Sequence, residues 1–190
     1  MLDGKSACTG LVLAGGLSTR MGADKAQLRR NEQTMLAYAC QLLESLGLPV
    51  AVSGGRTGIP DLVPQAGPLG GVYSALKQLQ PKALLVVPVD MPLLGVDTLR
   101  PLIEQGEVLG VPVCYRDCYL PLYLPSSAQL KTYLEEVFVP DSHKPRSVKK
   151  LLAALGAVQL PVADEQALIN TNTPEEWQRA RALFAGAGDQ

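Results

Sequence analysis

The sequence predicts an α/β fold, and three observations indicate it. Short apolar runs alternate with segments that carry apolar residues at helical spacing, which is typical of strands joined by covering helices. Residues 83–89 are continuously aliphatic or β-branched, as in a central parallel strand buried on both faces. The chain is 47% hydrophobic and only 18% charged, which suits a covered sheet. We therefore expect a single-domain, three-layer α/β/α architecture with a Rossmann-like, doubly wound, mostly parallel sheet.

The elements are predicted in chain order from periodicity and end signals. Strands are expected at residues 10–13, 48–53, 83–89 and 157–160, with a hairpin formed by 108–115 and 119–124. Helices are expected at residues 35–46, 69–79, 97–105, 126–137 and 146–155, and from 174 onward. Caps are expected at Thr34, at Ser126 or Ser127, and at Thr173, and helix ends at Gly47, Gly106 and Gly156. Pro88 is unusual for a central strand, because proline donates no ladder hydrogen bond.

Length and charge exclude several classes of protein. The 190 residues suit one domain, residues 7–185, followed by a flexible tail at 186–190. Seventeen basic and eighteen acidic residues give a net charge of −1, so we expect no nucleic-acid partner and no attraction to a membrane surface. The longest apolar stretch, residues 83–94, is too short for a membrane span and contains Asp90. A cytoplasmic protein with reduced cysteines is predicted, and Cys114 and Cys118 form a poor zinc half-site.

A glycine-rich loop follows the first predicted strand, which ends at Leu13. It contains Gly15 and Gly16, then Arg20 and Lys25. Glycines let backbone N–H groups approach an anion closely, and the two basic side chains supply the charge that a polyphosphate requires. The spacing fits neither the dinucleotide-binding fingerprint nor the phosphate loop of NTPases. The loop therefore predicts a polyphosphate site of another kind.

Four segments are predicted to converge beyond the carboxyl ends of the strands, where open α/β sheets bind ligands. They are residues 15–25, residues 53–71, Asp90, and the pair Asn170 and Asn172. Cations beside carboxylate and amide oxygens suit a nucleotide bound with Mg²⁺. On the residues alone, a turn or capping role explains Asp90 and Asn172 equally well. For Asn170 the entry to the following helix is the better explanation. His143, the one histidine, lies in a polar loop, where solvation is the common role.

The loop is similar to the pattern Leu13-Ala-Gly-Gly-x-x-x-Arg-Met-Gly-x-Asp-Lys25 of nucleotidyltransferases of the molybdenum cofactor guanylyltransferase type. Later blocks of this family are matched in the same order by residues 59–61, 67–71, 89–92, 121–123, 146–148 and 170–176. The resemblance spans nearly the whole chain. It implies the sheet arrangement of the nucleotide-diphospho-sugar transferase type.

The resemblance also implies roles for individual residues. Those facing the nucleotide would be Leu13, Ala14, Gly15, Gly16, Arg20, Lys25, Ser53 and Asp61. Those facing the acceptor would be Gly67, Gly71, Arg146 and Asn170. Asp90 would bind Mg²⁺, with Asn172 as a second metal or phosphate contact, and Arg20, Lys25 and Asp90 would be catalytic. The chain departs from the family pattern at Ser53, where relatives often carry asparagine, and near Cys118.

The implied reaction transfers GMP from GTP to the terminal phosphate of molybdenum-bound molybdopterin and releases pyrophosphate. The acceptor phosphate is already ionised, so positioning and charge neutralisation can carry the rate without a general base. Transient contacts with cofactor-delivery proteins are compatible with this role. Two alternatives stay open: a cytidylyltransferase acting on the same pterin or on a small phosphorylated acceptor, and a non-catalytic nucleotide-binding carrier. The phosphate loop does not distinguish the bases.

Overall fold

The computed structural model describes residues 8–15, 25–55 and 58–185. The strands are β1 (Cys8–Leu13), β2 (Arg29–Arg30), β3 (Gln33–Thr34), β4 (Val50–Ser53), β5 (Ala83–Pro88), β6 (Val113–Tyr115), β7 (Cys118–Pro125) and β8 (Val158–Leu160). The helices are α1 (Met35–Ser45), α2 (Gly67–Leu79), α3 (Val96–Leu109), α4 (Ala128–Phe138), α5 (Val148–Ala154) and α6 (Pro174–Ala185). Gly16, Arg20 and the predicted tail lie outside the described residues.

The main sheet has the strand order β4-β1-β5-β7-β6-β8. β1 pairs in parallel with β4 and β5, and β6 pairs in parallel with β8. β7 runs antiparallel to both of its neighbours, because it forms the predicted hairpin with β6 around residues 116–117. The prediction of a doubly wound, mostly parallel sheet is confirmed. From β4 the chain crosses back over β1 to β5, so the strand order reverses at β1, and such a reversal opens a ligand crevice.

Each face of the sheet is covered by helices, which gives the three predicted layers. Val12 and Leu85 pack with α1 and α3 in one hydrophobic core, and Leu11 and Leu84 pack with α2, α4 and α5 in the other. Adjacent residues of one strand enter opposite cores because strand side chains alternate between the faces. This explains why residues 83–87 are apolar at every position. Within the described ranges, no helix combines the length and hydrophobicity that crossing a membrane requires.

Pro88 fits at the end of β5 without breaking the sheet. On one side it pairs with Leu13 of β1, and the hydrogen bond to the Leu13 carbonyl comes from the N–H of Val89. On the other side the ladder with β7 ends at the pair Val86 and Leu122. Pro88, which has no N–H, therefore lies beyond the last hydrogen-bonded pair between β5 and β7.

The predicted end of α3 at Gly106 is wrong. The helix continues to Leu109 and ends at Gly110, which adopts the left-handed conformation at φ +66°. Gly106 is buried inside the helix against the ring of Tyr123, where a side chain would collide. The following strand accordingly begins at Val113 rather than at residue 108. This glycine is needed for packing and does not terminate the helix.

The predicted helix caps are confirmed. Thr34 accepts a hydrogen bond from the Ala37 N–H, and Ser127 accepts one from Leu130, which resolves the choice between the two serines at α4. The Thr173 hydroxyl accepts from the Glu176 N–H at 3.2 Å at the start of α6. The short β2–β3 hairpin was not predicted, because two-residue strands carry no periodicity.

Candidate active site

A cleft of about 470 Å³ opens beyond the carboxyl ends of β1 and β5. Ala14 and Gly15 follow β1 directly, and Asp90 follows β5 by two residues. The start of β7 contributes Cys118 and Tyr119 to the lining of the cleft. The cleft therefore lies at the reversal of strand order, as the sequence predicts.

A smaller cavity of about 90 Å³ adjoins the cleft between β1, β4 and the start of α2. Leu13, Gly15 and Pro68 line both spaces. The residues that line the smaller cavity are Leu13, Gly15, Ser53, Asp61, Gln65, Gly67, Pro68 and Gly71. Gly67 and Gly71 thus lie with Ser53 and Asp61 on the predicted nucleotide side, whereas Asn170 lines the larger cleft.

Two glycines allow α2 to begin this close to the strand ends. Gly67 adopts φ +65°, a backbone conformation that other residues rarely adopt. A Cβ at Gly71 would lie 2.5 Å from Ser53 Oγ and 2.9 Å from Leu13 Cδ2. Ser53 is only 3% exposed and its hydroxyl is directed at this contact. The N-terminus of α2, the positive end of its dipole, consequently borders both the cleft and the smaller cavity, where it favours an anion.

Lys25 joins the end of β5 to the segment before α6 through a polar cluster in the cleft. Its Nζ donates to Asp90 Oδ2 at 3.0 Å and to Asn172 Oδ1 at 2.6 Å. The Nδ2 of Asn172 donates to Asn170 Oδ1 at 3.3 Å. The side chains of Lys25 and Asp90 are 17% and 16% exposed, so this ion pair is largely shielded from water. Sequence reasoning selected all four of these residues, and the structure brings them into contact.

Thr171 is a member of this region that sequence reasoning missed. It is 1% exposed, and both its N–H and its hydroxyl donate to the backbone carbonyl of Asp90, at 2.9 and 3.1 Å. Its position between Asn170 and Asn172 was a sequence signal for its place near the site, but not for its contact with Asp90. Two further residues of the cleft lining were also missed, Asp117 in the β6–β7 turn and Tyr119 at the start of β7.

The oxygen atoms of this cluster fit a hard divalent cation. Asp90 Oδ1 is buried and has no hydrogen-bond partner among the described residues. The amide oxygens of Asn170 and Asn172 lie beside the same lysine network. In the part of the chain that the structure describes, no three His, Cys, Asp or Glu residues cluster as a metal cage. Mg²⁺ commonly takes one or two carboxylates from a protein and its other ligands from phosphates and water. The residues present are compatible with that mode of binding.

The structure places two other candidate residues away from the cluster. Arg146 is exposed, and its guanidinium carbon lies 5.5 Å from the ring centroid of Phe138, outside the lining of both spaces described above. His143 is exposed in the loop between α4 and α5. Val148, at the start of α5, does line the cleft.

Cys118 lies in the cleft wall as a thiol. Burial raises the pKa of Cys118, and its Sγ donates to the Leu120 carbonyl at 2.8 Å. A protonated thiol is a poor nucleophile. The four cysteines are not joined in disulfides. Cys118 is therefore not arranged to act as a nucleophile.

The fold and the site together define a class, the α/β nucleotidyltransferases. The chain belongs to the MobA-like NTP transferase family, whose domain model matches residues 10–160. It is 39% identical over 178 residues to the molybdenum cofactor guanylyltransferase of Xanthomonas euvesicatoria pv. vesicatoria (strain 85-10), covering 90% of this chain and 93% of the relative. The protein is thus a nucleotidyltransferase enzyme.

Solved structures share the fold. Molybdopterin-guanine dinucleotide biosynthesis protein A from Archaeoglobus fulgidus has a TM-score of 0.69 at 20% identity, covering 94% of this chain and 99% of that one. The 2-C-methyl-D-erythritol 4-phosphate cytidylyltransferase from Thermus thermophilus has a TM-score of 0.63 at 17% identity, covering 93% and 98%. At these identities the likeness shows a common architecture.

Proposed function

We propose that the protein transfers GMP from GTP to the terminal phosphate of molybdenum-bound molybdopterin, giving the guanine dinucleotide form of the cofactor and pyrophosphate. The observation that carries this proposal is the contact of Lys25 with Asp90 and Asn172 in a cleft between the ends of β1 and β5. The 39% identity to a molybdenum cofactor guanylyltransferase supports the choice of substrates.

The nucleotide is proposed to bind along the β1 side of the site. Leu13 and Gly15 border both spaces and Ala14 borders the larger cleft, so the backbone of this segment is proposed to contact the nucleotide. The Ala14 N–H already donates to the Ser53 carbonyl at 2.9 Å, so the Gly15 N–H is the proposed donor to phosphate oxygens. Asp61, in the wall of the smaller cavity, is proposed to contact the nucleoside. Gly67 and Gly71 lie on the same side and let the nucleotide approach α2 closely.

The acceptor is proposed to occupy the larger cleft. Tyr119, Leu120, Val148 and Leu168 give this cleft an apolar wall that suits a flat heterocycle. Asn170 lies in the same lining and offers amide donors and acceptors. The 470 Å³ of the cleft is within the range of small-molecule sites.

The proposed reaction is a displacement at phosphorus. An oxygen of the acceptor phosphate forms a bond to the α-phosphorus of GTP, the bond from that phosphorus to the bridging oxygen breaks, and pyrophosphate leaves with the electron pair. The ionised acceptor needs no general base, so the protein's contribution is alignment and charge neutralisation. Lys25 and Arg20 are proposed to neutralise the triphosphate. Asp90 and Asn172 would hold Mg²⁺, which supplies further neutralisation of phosphate charge when bound.

Thermal unfolding with GTP, CTP, ATP or UTP, each with Mg²⁺, tests the proposed nucleotide. A ligand that binds only the folded state at 100 times its Kd stabilises by about 2.7 kcal/mol, so selective binding is visible as a shift in Tm. We expect GTP to raise the Tm most. Stabilisation by CTP without stabilisation by GTP would favour the cytidylyltransferase alternative. Saturable GTP binding without turnover, when the molybdopterin acceptor is supplied, would favour a non-catalytic carrier.

A further inference from the structure

Side chains from distant parts of the chain hold the loop that follows β5, residues 90–94. Arg30 Nε donates to the Pro92 carbonyl at 2.7 Å, and the Tyr38 hydroxyl donates to the Leu94 carbonyl at 2.5 Å. The guanidinium of Arg30 also lies over the Tyr38 ring, 4.0 Å from its centroid. Two carbonyls of the loop are thus fixed from β2 and α1, on the side of the sheet that α1 covers.

The third fixed carbonyl is that of Asp90 itself, and Thr171 is its donor. This carbonyl accepts from the Thr171 N–H at 2.9 Å and from the Thr171 hydroxyl at 3.1 Å. Two donors from one buried residue restrict the orientation of the Asp90 peptide group, and the carboxylate is attached to the same Cα. The hydroxyl is therefore positioned to influence where the Asp90 oxygens lie.

Anchoring Thr171 also fixes the residues on either side of it. Asn170 and Asn172 are exposed while Thr171 is buried. Glu176 secures the segment from the other end, since its Oε2 accepts from the N–H groups of Asn172 and Thr173 at 2.6 and 3.0 Å. Thr171 thus fixes the position of the two asparagine amide oxygens relative to the Asp90 carboxylate.

We propose that Thr171 is a positioning residue for the cation-binding oxygens of the site, acting through the Asp90 carbonyl. This inference rests on the proposed role of Asp90 in binding Mg²⁺ with the nucleotide. The family-model match ends at residue 160. Thr171 lies beyond that match, in the same segment between β8 and α6 as Asn170 and Asn172.

The test compares three replacements of Thr171 by electron paramagnetic resonance of Mn²⁺ with GTP held equimolar to the protein, and Mn²⁺ with GTP alone gives the baseline. Thr171→Val keeps the shape and the backbone N–H but removes the hydroxyl. We expect the Kd for Mn²⁺ to rise about 10-fold, the usual scale for losing a group that orients a metal ligand. Thr171→Ser restores the hydroxyl and is expected to stay within about twofold of the unmodified protein. Thr171→Ala also removes the hydroxyl but does not add the methyl group that valine puts in its place. It therefore provides the same readout if the added methyl group of valine disrupts packing.

A matched control separates positioning from general destabilisation. The Tyr115 hydroxyl is a buried donor to the Thr98 carbonyl at 2.6 Å, outside the cluster, so Tyr115→Phe loses a comparable bond without changing Mn²⁺ binding. The role of Thr171 is overturned if valine and alanine leave the Mn²⁺ Kd unchanged, or if serine weakens binding as much as valine. If the unmodified protein itself binds no Mn²⁺ with GTP, the proposed function fails and this inference fails with it.

Discussion

Lys25 is the residue whose charge links the end of β5 to the segment before α6. Its ammonium is shared between Asp90 Oδ2 and Asn172 Oδ1. In the proposed complex the same ammonium must also neutralise triphosphate oxygens. Charge-assisted hydrogen bonds of this kind contribute about 1.5–3 kcal/mol each, so the loss of Lys25 should be measurable in binding.

We predict that Lys25→Met weakens GTP binding about 10-fold or more, because the triphosphate loses a charged donor. The measurement is isothermal titration with GTP and Mg²⁺. Lys77→Met is the control, since Lys77 pairs with Glu135 on the surface, where the side chains are 47% and 60% exposed. Equal GTP affinity in the two variants would remove Lys25 from the phosphate site.

The sequence predicted the location of those site residues that directly follow a strand or belong to the glycine-rich loop. Asp90 could be predicted because a carboxylate after a buried apolar run lies at the ligand edge of the sheet. Thr171 could not, because the carbonyl it binds is 81 residues away and backbone carbonyls carry no sequence identity. The position of Arg146 was also not predictable, since its contact with Phe138 depends on how α4 and α5 pack.

At the scale of the element, α3 shows how one glycine can serve packing instead of termination. Gly106 faces Tyr123, which is 5% exposed, and Gly110 provides the positive φ that ends the helix. Both glycines follow apolar residues at helical spacing. The pattern alone therefore could not distinguish them, because the deciding contact comes from β7.

We predict that Gly106→Ala destabilises the fold by about 1–3 kcal/mol, the usual cost of overpacking a core. Alanine gains about 1 kcal/mol in intrinsic helix propensity, but the buried Tyr123 ring cannot move aside easily. Urea unfolding measures the difference. Gly95→Ala is the control, because a Cβ at Gly95 meets nothing within 4 Å, and its cost should not exceed about 1 kcal/mol. A neutral or stabilising Gly106→Ala would contradict the packing role.

At the scale of the whole molecule, the sheet brings together residues from most of the chain. The site combines the ends of β1 and β5, the β6–β7 turn and the segment before α6. Alternating apolar patterns were enough to predict the class of fold. The strand order could not be obtained from them, since periodicity indicates which face is buried and does not identify the neighbouring strand.

The buried Cys8 thiol and Tyr123 hydroxyl predict that the fold loses stability at alkaline pH. Burial, followed by the charge of Glu107, raises the pKa of Cys8 from 9.0 to about 12, and burial raises that of Tyr123 from 10.0 to about 12. Because the folded state holds these protons more tightly, their contribution is complete below about pH 9 and is lost as the pH rises toward 12.

Each group should lower the free energy of unfolding by about 1.4 kcal/mol per pH unit between its ordinary pKa and its raised pKa, which means from about pH 9 for Cys8 and from about pH 10 for Tyr123. Urea unfolding between pH 8 and 10.5 under reducing conditions measures the slope, and Cys8→Ala should reduce it. An unchanged slope in Cys8→Ala would show that Cys8 does not titrate as its burial implies.

Nucleotidyl transfer by the Asp90→Asn variant shows whether Asp90 takes part in the reaction. The readout is pyrophosphate release with GTP, Mg²⁺ and the molybdopterin acceptor, and Glu135→Gln serves as a control for loss of a carboxylate remote from the cleft. We predict that Asp90→Asn folds normally and loses at least about 100-fold in kcat/KM, because charge stabilisation at the reacting phosphates is removed, while Glu135→Gln retains full activity. Activity of Asp90→Asn within a few-fold of the unmodified enzyme would contradict the assignment of the cleft as the site of metal-assisted transfer.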